Sequence, residues 1–200
     1  AAIVARELGI PAVVGCETAT QDIHTGEAIT VSCAQGDIGY VYRGTLPIQV
    51  DQQILREMPK LPVGICMNLG NPEQAFQYQK IPNDGVGLAR LEFIISQSIS
   101  IHPNACLDFD GLSATMRDKI SRVTAAYSSP IEYYISKLAE GLSTIAAAFY
   151  PKPVIMRFSD FKSNEYAHLL GGDLFEPQEE NPMLGFRGTS RYVSVRFRDC

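Results

Sequence analysis

Arg90, Arg157 and Arg187 are the residues of this 200-residue chain whose setting points to chemistry. In Val86-Gly87-Leu88-Ala89-Arg90-Leu91-Glu92, an apolar stretch ends in two charges, and strand alternation puts Leu88, Arg90 and Glu92 on one face. Val154-Ile155-Met156-Arg157-Phe158-Ser159-Asp160 repeats the pattern, and an earlier apolar run ends near Asn68. In parallel α/β folds the carboxyl ends of strands are where ligand sites form. Two guanidinium groups there suit a bidentate clamp on a phosphate or a carboxylate. The same charges also suit local ion pairs, Arg90 with Glu92 and Arg157 with Asp160, and spacing alone leaves both readings open. Arg187 lies between Gly185 and Gly188 in Asn181-Pro182-Met183-Leu184-Gly185-Phe186-Arg187-Gly188. Backbone that bare can approach a ligand closely; a solvated loop arginine is the other reading.

Other groupings are weaker. Gly85-Val86-Gly87 begins like a dinucleotide fingerprint, but Arg90 stands where the third glycine belongs. The acidic group Asp173, Glu176, Glu179 and Glu180 fits no calcium-loop spacing and reads as a solvated loop face. His24, His102 and His168 have no metal-ligand spacing and no partnered nucleophile, and His168 reads as structural or exposed. The cysteines Cys16, Cys33, Cys66, Cys106 and Cys200 form no C-x-x-C pair and read as small core residues. Their odd number and scatter favour a reducing, cytoplasmic compartment.

The elements that must hold these residues follow from the sequence pattern. Residues 1–8 read as a helix stopped by Gly9, with no capping residue ahead of Ala1, so the chain is expected to be a piece of something longer. Ile10 to Gly15 reads as a short buried strand. Ala28–Ala34 and Ile38–Tyr42 read as strands of a hairpin turning at Gln35-Gly36-Asp37. Residues 47–60 are polar and proline-flanked, a connector between a first unit (1–46) and a second (61–200).

The second unit alternates strand and helix, which implies a parallel sheet or barrel. The strands are expected at Pro62–Leu69, Val86–Ile94 and Val154–Asp160. A helix over Glu73–Lys80 follows Asn71 as cap and Pro72 as first residue. A second covers Thr115–Tyr127, striped by Met116, Ile120, Val123 and Tyr127. A third starts from a Ser129 capping box, with the stripe Ile131, Tyr134, Ile135, Leu138, Leu142, Ile145 and Phe149. Ser159 to Gly188 lacks periodicity and reads as a long functional loop.

Composition bounds the partners. Hydrophobic residues make up 46% and charged residues 20%, enough apolar surface for a core. Lys+Arg is 17 against Asp+Glu 22, a net −5, which gives no general attraction to nucleic acid or an anionic membrane. No apolar run reaches the roughly 18 residues of a spanning helix.

At these same segments the chain resembles the family of phosphoenolpyruvate-utilising enzymes. Residues 1–15 are similar to the helix and strand that follow the phosphorylated histidine of that family's swivelling domain. Asp84–Ile94, Val154–Tyr166 and Glu180–Gly188 are similar to motifs of its phosphoenolpyruvate-binding barrel. Leu91 and the run Ser159-Asp160-Phe161-Lys162-Ser163-Asn164 favour the branch that couples ATP and water to pyruvate.

The resemblance implies an α/β fold. Residues 1–46 would be the C-terminal part of the phosphohistidine domain, 47–60 a hinge, and 61–200 the first part of a (β/α)8 TIM-type barrel. It assigns Arg90, Arg157 and Arg187 to pyruvate or phosphoenolpyruvate. The phosphohistidine is expected just before Ala1, the proton-donating cysteine and the Mg2+ ligands beyond Cys200, and ATP on an N-terminal domain. The implied parent is a homodimer that phosphorylates pyruvate with ATP and water, giving phosphoenolpyruvate, AMP and phosphate; this segment alone would be inactive. A dikinase using phosphate instead of water, another phosphotransferase of the family and a non-catalytic relative are the alternatives.

Overall fold

The computed structural model describes residues 5, 9–36, 38–51, 59, 61–181 and 183–200. Its contacts divide the chain into two compact units, Ala1–Pro59 and Lys60–Cys200. No helix among the described residues is long and apolar enough to cross a membrane.

In the first unit, the helix expected over residues 1–8 lies outside the described residues except for Ala5. Its stop is visible: Gly9 has φ +68°, and the Ile10 N–H donates to the Ala5 carbonyl at 2.9 Å, the six-to-one bond of a Schellman turn. A short helix, α1 (Ala19–Asp22), precedes β1 (Ile29–Ser32) and β2 (Tyr40–Arg43). These strands pair antiparallel, Ile29 opposite Arg43 and Ser32 opposite Tyr40, as the hairpin pattern requires. The turn residue Asp37 lies outside the described residues. Thr30 Oγ1 donates to the Gly44 carbonyl at 2.8 Å and accepts from the Leu46 N–H at 3.0 Å, clipping the chain as it leaves β2.

The strand expected at Ile10–Gly15 does not form. That segment is held by side-chain contact instead of a backbone ladder. Val13 fills the space over Gly39, where a Cβ would come within 2.6 Å of Val13 Cγ2.

The second unit is mixed α/β, built on a parallel sheet of β3 (Met67–Leu69), β4 (Val86–Arg90) and β5 (Val154–Arg157) in chain order. Parallel neighbours need crossovers, and both are helical. After β3, Asn71 Oδ1 accepts from the Glu73 N–H at 3.0 Å and starts a 3-10 turn (Pro72–Gln74) that runs into α2 (Ala75–Tyr78). The expected first strand loses its start, since residues 62–66 are irregular.

Val86–Ile94 was expected to be one strand, but β4 ends at Arg90. Arg90 is instead the N-cap of α3 (Leu91–Phe93), which continues as a π-helical turn over Ile94–Ile99. An apolar run buried on all sides has no readable period, and Leu91, Ile94, Ile95 and Ile99 are all core residues. Ser100, at φ +59°, ends the turn with its N–H on the Ile95 carbonyl at 2.7 Å.

Three helices follow: α4 (Pro103–Leu107), α5 (Ala114–Val123) and α6 (Pro130–Phe149). The hydroxyls of Ser113 and Ser129 cap α5 and α6, accepting from Met116 N–H at 3.3 Å and Glu132 N–H at 3.1 Å. The Glu132 carboxylate accepts from the Ser136 hydroxyl, and no reciprocal bond to the Ser129 N–H is seen among the described residues. Of the expected stripes, Ile120, Ile145 and Phe149 are buried, whereas Val123, Ile131 and Ile135 are exposed. The buried face of α6 is turned toward Tyr133, whose hydroxyl donates to the Ser98 and Ile99 carbonyls at 3.0 and 3.2 Å.

The second half of α6 covers one face of the sheet, packing Ile145, Ala148 and Phe149 against Leu69, Val86 and Ala89. The other face presents Asn68, Ile155 and Arg157, all exposed. The long segment after β5 is not simply a loop. It holds α7 (Ser163–Ala167) and a 3-10 turn (Gly172–Leu174), ends at α8 (Thr189–Tyr192), and buries Tyr166 and Leu169 in the core. The cysteines also depart from expectation. Cys106 is buried, with its thiol pushed up to about 12 first by burial, but Cys16, Cys33, Cys66 and Cys200 are exposed.

Gly85 fixes the entry to β4. It has φ +133°, and a Cβ there would lie 2.3 Å from the Pro153 carbonyl oxygen, to which the Val86 N–H donates at 2.9 Å. Gly85→Ala is therefore expected to lower the unfolding free energy by about 1–3 kcal/mol, read as a lower urea midpoint at unchanged m-value.

Candidate anion-binding site

The sheet brings Arg90 and Arg157 side by side. They are register partners at the carboxyl ends of neighbouring parallel strands, about 4.8 Å apart from strand to strand. The two expected ion pairs form differently. Because α3 begins at Leu91, Glu92 leaves the strand face it was expected to share with Arg90 and turns toward β5. Its Oε1 accepts from Arg157 Nη2 at 2.9 Å and from the Asp160 N–H at 2.6 Å. Arg157 lies only loosely against Asp160, at 3.8 Å. Arg90 is exposed and has no ion-pair or hydrogen-bond partner for its side chain among the described residues.

Arg187 joins this cluster from the far end of the long segment. It pairs bidentately with Asp160, Nε to Oδ1 at 3.2 Å and Nη2 to Oδ2 at 2.7 Å. The hydrogen bond from Arg187, against a smaller opposing effect of burial, holds the Asp160 carboxyl below its ordinary range. Arg187 is therefore an ion-paired, partly exposed loop arginine. Gly188, at φ +59°, turns the chain beside this pair, with Asp160 Oδ1 3.2 Å from where a Cβ would sit. Two guanidinium groups, Arg157 from a strand end and Arg187 from a loop, therefore meet around Glu92 and Asp160, and Arg90 stands on the neighbouring strand end without an ion-pair partner among the described residues.

A buried cluster steadies the loop that carries Arg187. The acidic group read as a solvated face contains Glu176, whose side chain is 2% exposed and pairs with Arg191, 1% exposed. Arg191 Nη1 donates to Glu176 Oε1 at 2.5 Å, and Nη2 donates to Oε2 at 2.8 Å. Arg191 Nη2 also donates to the Phe186 carbonyl at 2.9 Å, which fixes the residue preceding Arg187. The guanidinium lies 4.5 Å from the ring centres of Tyr166 and Phe186, a cation–π setting. His102 completes the cluster. Its Nδ1 accepts from the Asn104 N–H at 3.1 Å as the cap of α4, so Nε2 carries the proton and donates to Glu176 at 2.9 Å. His24 and His168 are exposed. Sequence reasoning missed this triad, and the one available signal was the placement of His102 directly before Pro103 at a helix start.

The cluster does not fit a resident cation. Among the described residues no group of three or more His, Cys, Asp or Glu is placed to hold one, and Glu92 and Asp160 are already engaged by guanidinium groups.

A parallel α/β sheet with basic side chains at its strand ends is the setting in which oxyanion sites form. Comparison with known families agrees: residues 48–197 match the PEP-binding domain of PEP-utilising enzymes, and residues 1–36 match their mobile domain. The chain belongs to the PEP-utilising enzyme family. Among curated relatives, it is 58% identical over 200 residues to the phosphoenolpyruvate synthase of Pseudomonas aeruginosa. It is 56% identical to that of Escherichia coli and 55% to that of Neisseria meningitidis. Each match covers 100% of this chain and 25% of the relative, so the chain spans about a quarter of their length.

The triad predicts an acid sensitivity. Burial raises the Glu176 carboxyl, but hydrogen bonds from His102 and Arg191 outweigh it, and the net displacement is downward. With its folded value depressed, Glu176 contributes full stability above the ordinary glutamate range. That contribution is lost as pH falls through the folded value. Glu176→Gln should flatten this acid limb in pH-dependent melting. Glu176→Ala, which leaves Arg191 buried and unpaired, should cost about 3–5 kcal/mol at neutral pH.

Proposed function

We propose that this chain is the pyruvate-binding part, with the adjoining mobile part, of an enzyme that makes phosphoenolpyruvate from pyruvate, ATP and water. Residues 1–46 would be the end of a swivelling phosphohistidine domain, 47–60 its hinge, and 61–200 the first strands of a (β/α)8 barrel. The curated relatives named phosphoenolpyruvate synthase and the strand-ordered parallel sheet support this reading. The observation that carries it is that Arg90 and Arg157 are register partners at neighbouring strand ends, with Arg187 brought to the Asp160 beside Arg157 and Arg90 without a partner among the described residues.

Phosphoryl transfer asks a protein for position and charge more than for covalent chemistry. Arg90 and Arg157 would take the carboxylate and phosphate of the substrate, and Arg187 the equatorial oxygens of the transferring group. Donors fixed before reaction stabilise the enolate and the phosphoryl charge with no reorganisation at the barrier. Magnesium would be held by residues beyond Cys200, and ATP by a preceding domain. The parent would be a cytoplasmic homodimer, and this segment alone would lack activity.

In the full-length enzyme, Arg90→Met and Arg157→Met should each lower turnover at least about a hundredfold, the usual worth of such a donor. Steady-state phosphoenolpyruvate formation measures this, and near-normal turnover in either variant contradicts the assignment.

A further inference from the structure

We propose that Glu92 is a positioning residue that sets two of the three arginines, Arg157 directly and Arg187 through Asp160; this rests on the function proposed above. A single carboxylate oxygen does both. Glu92 Oε1 accepts from Arg157 Nη2 at 2.9 Å and from the backbone N–H of Asp160 at 2.6 Å. Asp160 in turn holds both donors of Arg187. Glu92 stands at the first turn after β4, and its partners are the last residue of β5 and Asp160 just beyond it, so it ties the two strand ends together.

Stability alone does not account for this side chain. Its second oxygen, Oε2, is buried without a hydrogen-bond partner among the described residues, and an orphaned buried acceptor is unfavourable. Arg157, with 46% of its side chain exposed, returns little for the pairing, because half-exposed ion pairs contribute weakly. What Glu92 supplies is direction: it fixes where Arg157 points and where the Asp160 backbone runs. Arg90, one strand away, receives no such restraint.

The test uses the full-length enzyme carrying Glu92→Gln, which keeps an acceptor oxygen of the same reach, or Glu92→Ala, which removes it. The readouts are kcat and KM for pyruvate, isotope exchange between pyruvate and phosphoenolpyruvate, and ATP-dependent phosphorylation of the enzyme. Glu92→Ala should slow the pyruvate exchange about 100-fold, the effect of misplacing a catalytic donor. Glu92→Gln should recover most of that loss, and both variants should phosphorylate at the wild-type rate. If Glu92→Ala fails to fold, Glu92→Gln is read alone, with a smaller loss in exchange and none in phosphorylation. Equal loss in both half-reactions, or wild-type kcat and KM in the variants, overturns the proposal. Arg90→Met separates the two readings. If it slows exchange while the Glu92 variants do not, positioning by Glu92 fails alone; if it also leaves exchange intact, the pyruvate-site reading fails.

Discussion

Like charges on paired positions of adjacent strands repel, and this constraint organises the strand-end cluster. Arg90 and Arg157 are register partners, at a strand separation where uncompensated cations oppose each other. The chain answers with two carboxylates placed on the β5 side, Glu92 against Arg157 and Asp160 against Arg187. The compensation is unequal. It neutralises Arg157 and Arg187 and leaves Arg90 as a local excess of positive charge. In a protein of net charge −5, that local field, and not the overall balance, is what an anion would meet.

A second layer of order lies beneath the loop. A buried carboxylate is unfavourable unless its lone pairs are met, and Glu176 is met by both Arg191 and His102. Arg191 spreads its remaining donor capacity over Ser163 and the Phe186 carbonyl. The effect is to join α4, α7 and α8 through one charged cluster in an aromatic cage. The segment after β5 is therefore set by these attachments as well as by its short helices.

Much of this was legible in the sequence, for identifiable reasons. Apolar runs interrupted by charge drew attention to Arg90 and Arg157, although the run through Leu91 to Ile94 hid the end of the strand at Arg90. The Ser113 and Ser129 caps, Asn71 before Pro72 and the stop at Gly9 follow local stereochemistry, which sequence records directly. What escaped was decided by tertiary contact. The switch from β4 to helix at Leu91 has no periodic signature, because Leu91 and Ile94 are both buried, and it reassigned Glu92 from Arg90 to Arg157. Glu176 meets His102 across 74 positions and Arg191 across 15, distances over which charge patterning says nothing. Val13 passed for strand because apolar character does not reveal whether a segment pairs through its backbone or rests on a glycine such as Gly39.

The anchoring of Arg187 has a thermodynamic corollary. A free arginine that closes on an anion loses rotamer freedom at that moment, about 0.5–1.5 kcal/mol for a side chain of this kind. Arg157 and Arg187 are already bound to Glu92 and Asp160, so their entropy is surrendered when the chain folds. Arg90, with no partner among the described residues, keeps that freedom in the folded chain. The three groups look equivalent by charge, but a ligand that engaged all of them would have only Arg90 left to order.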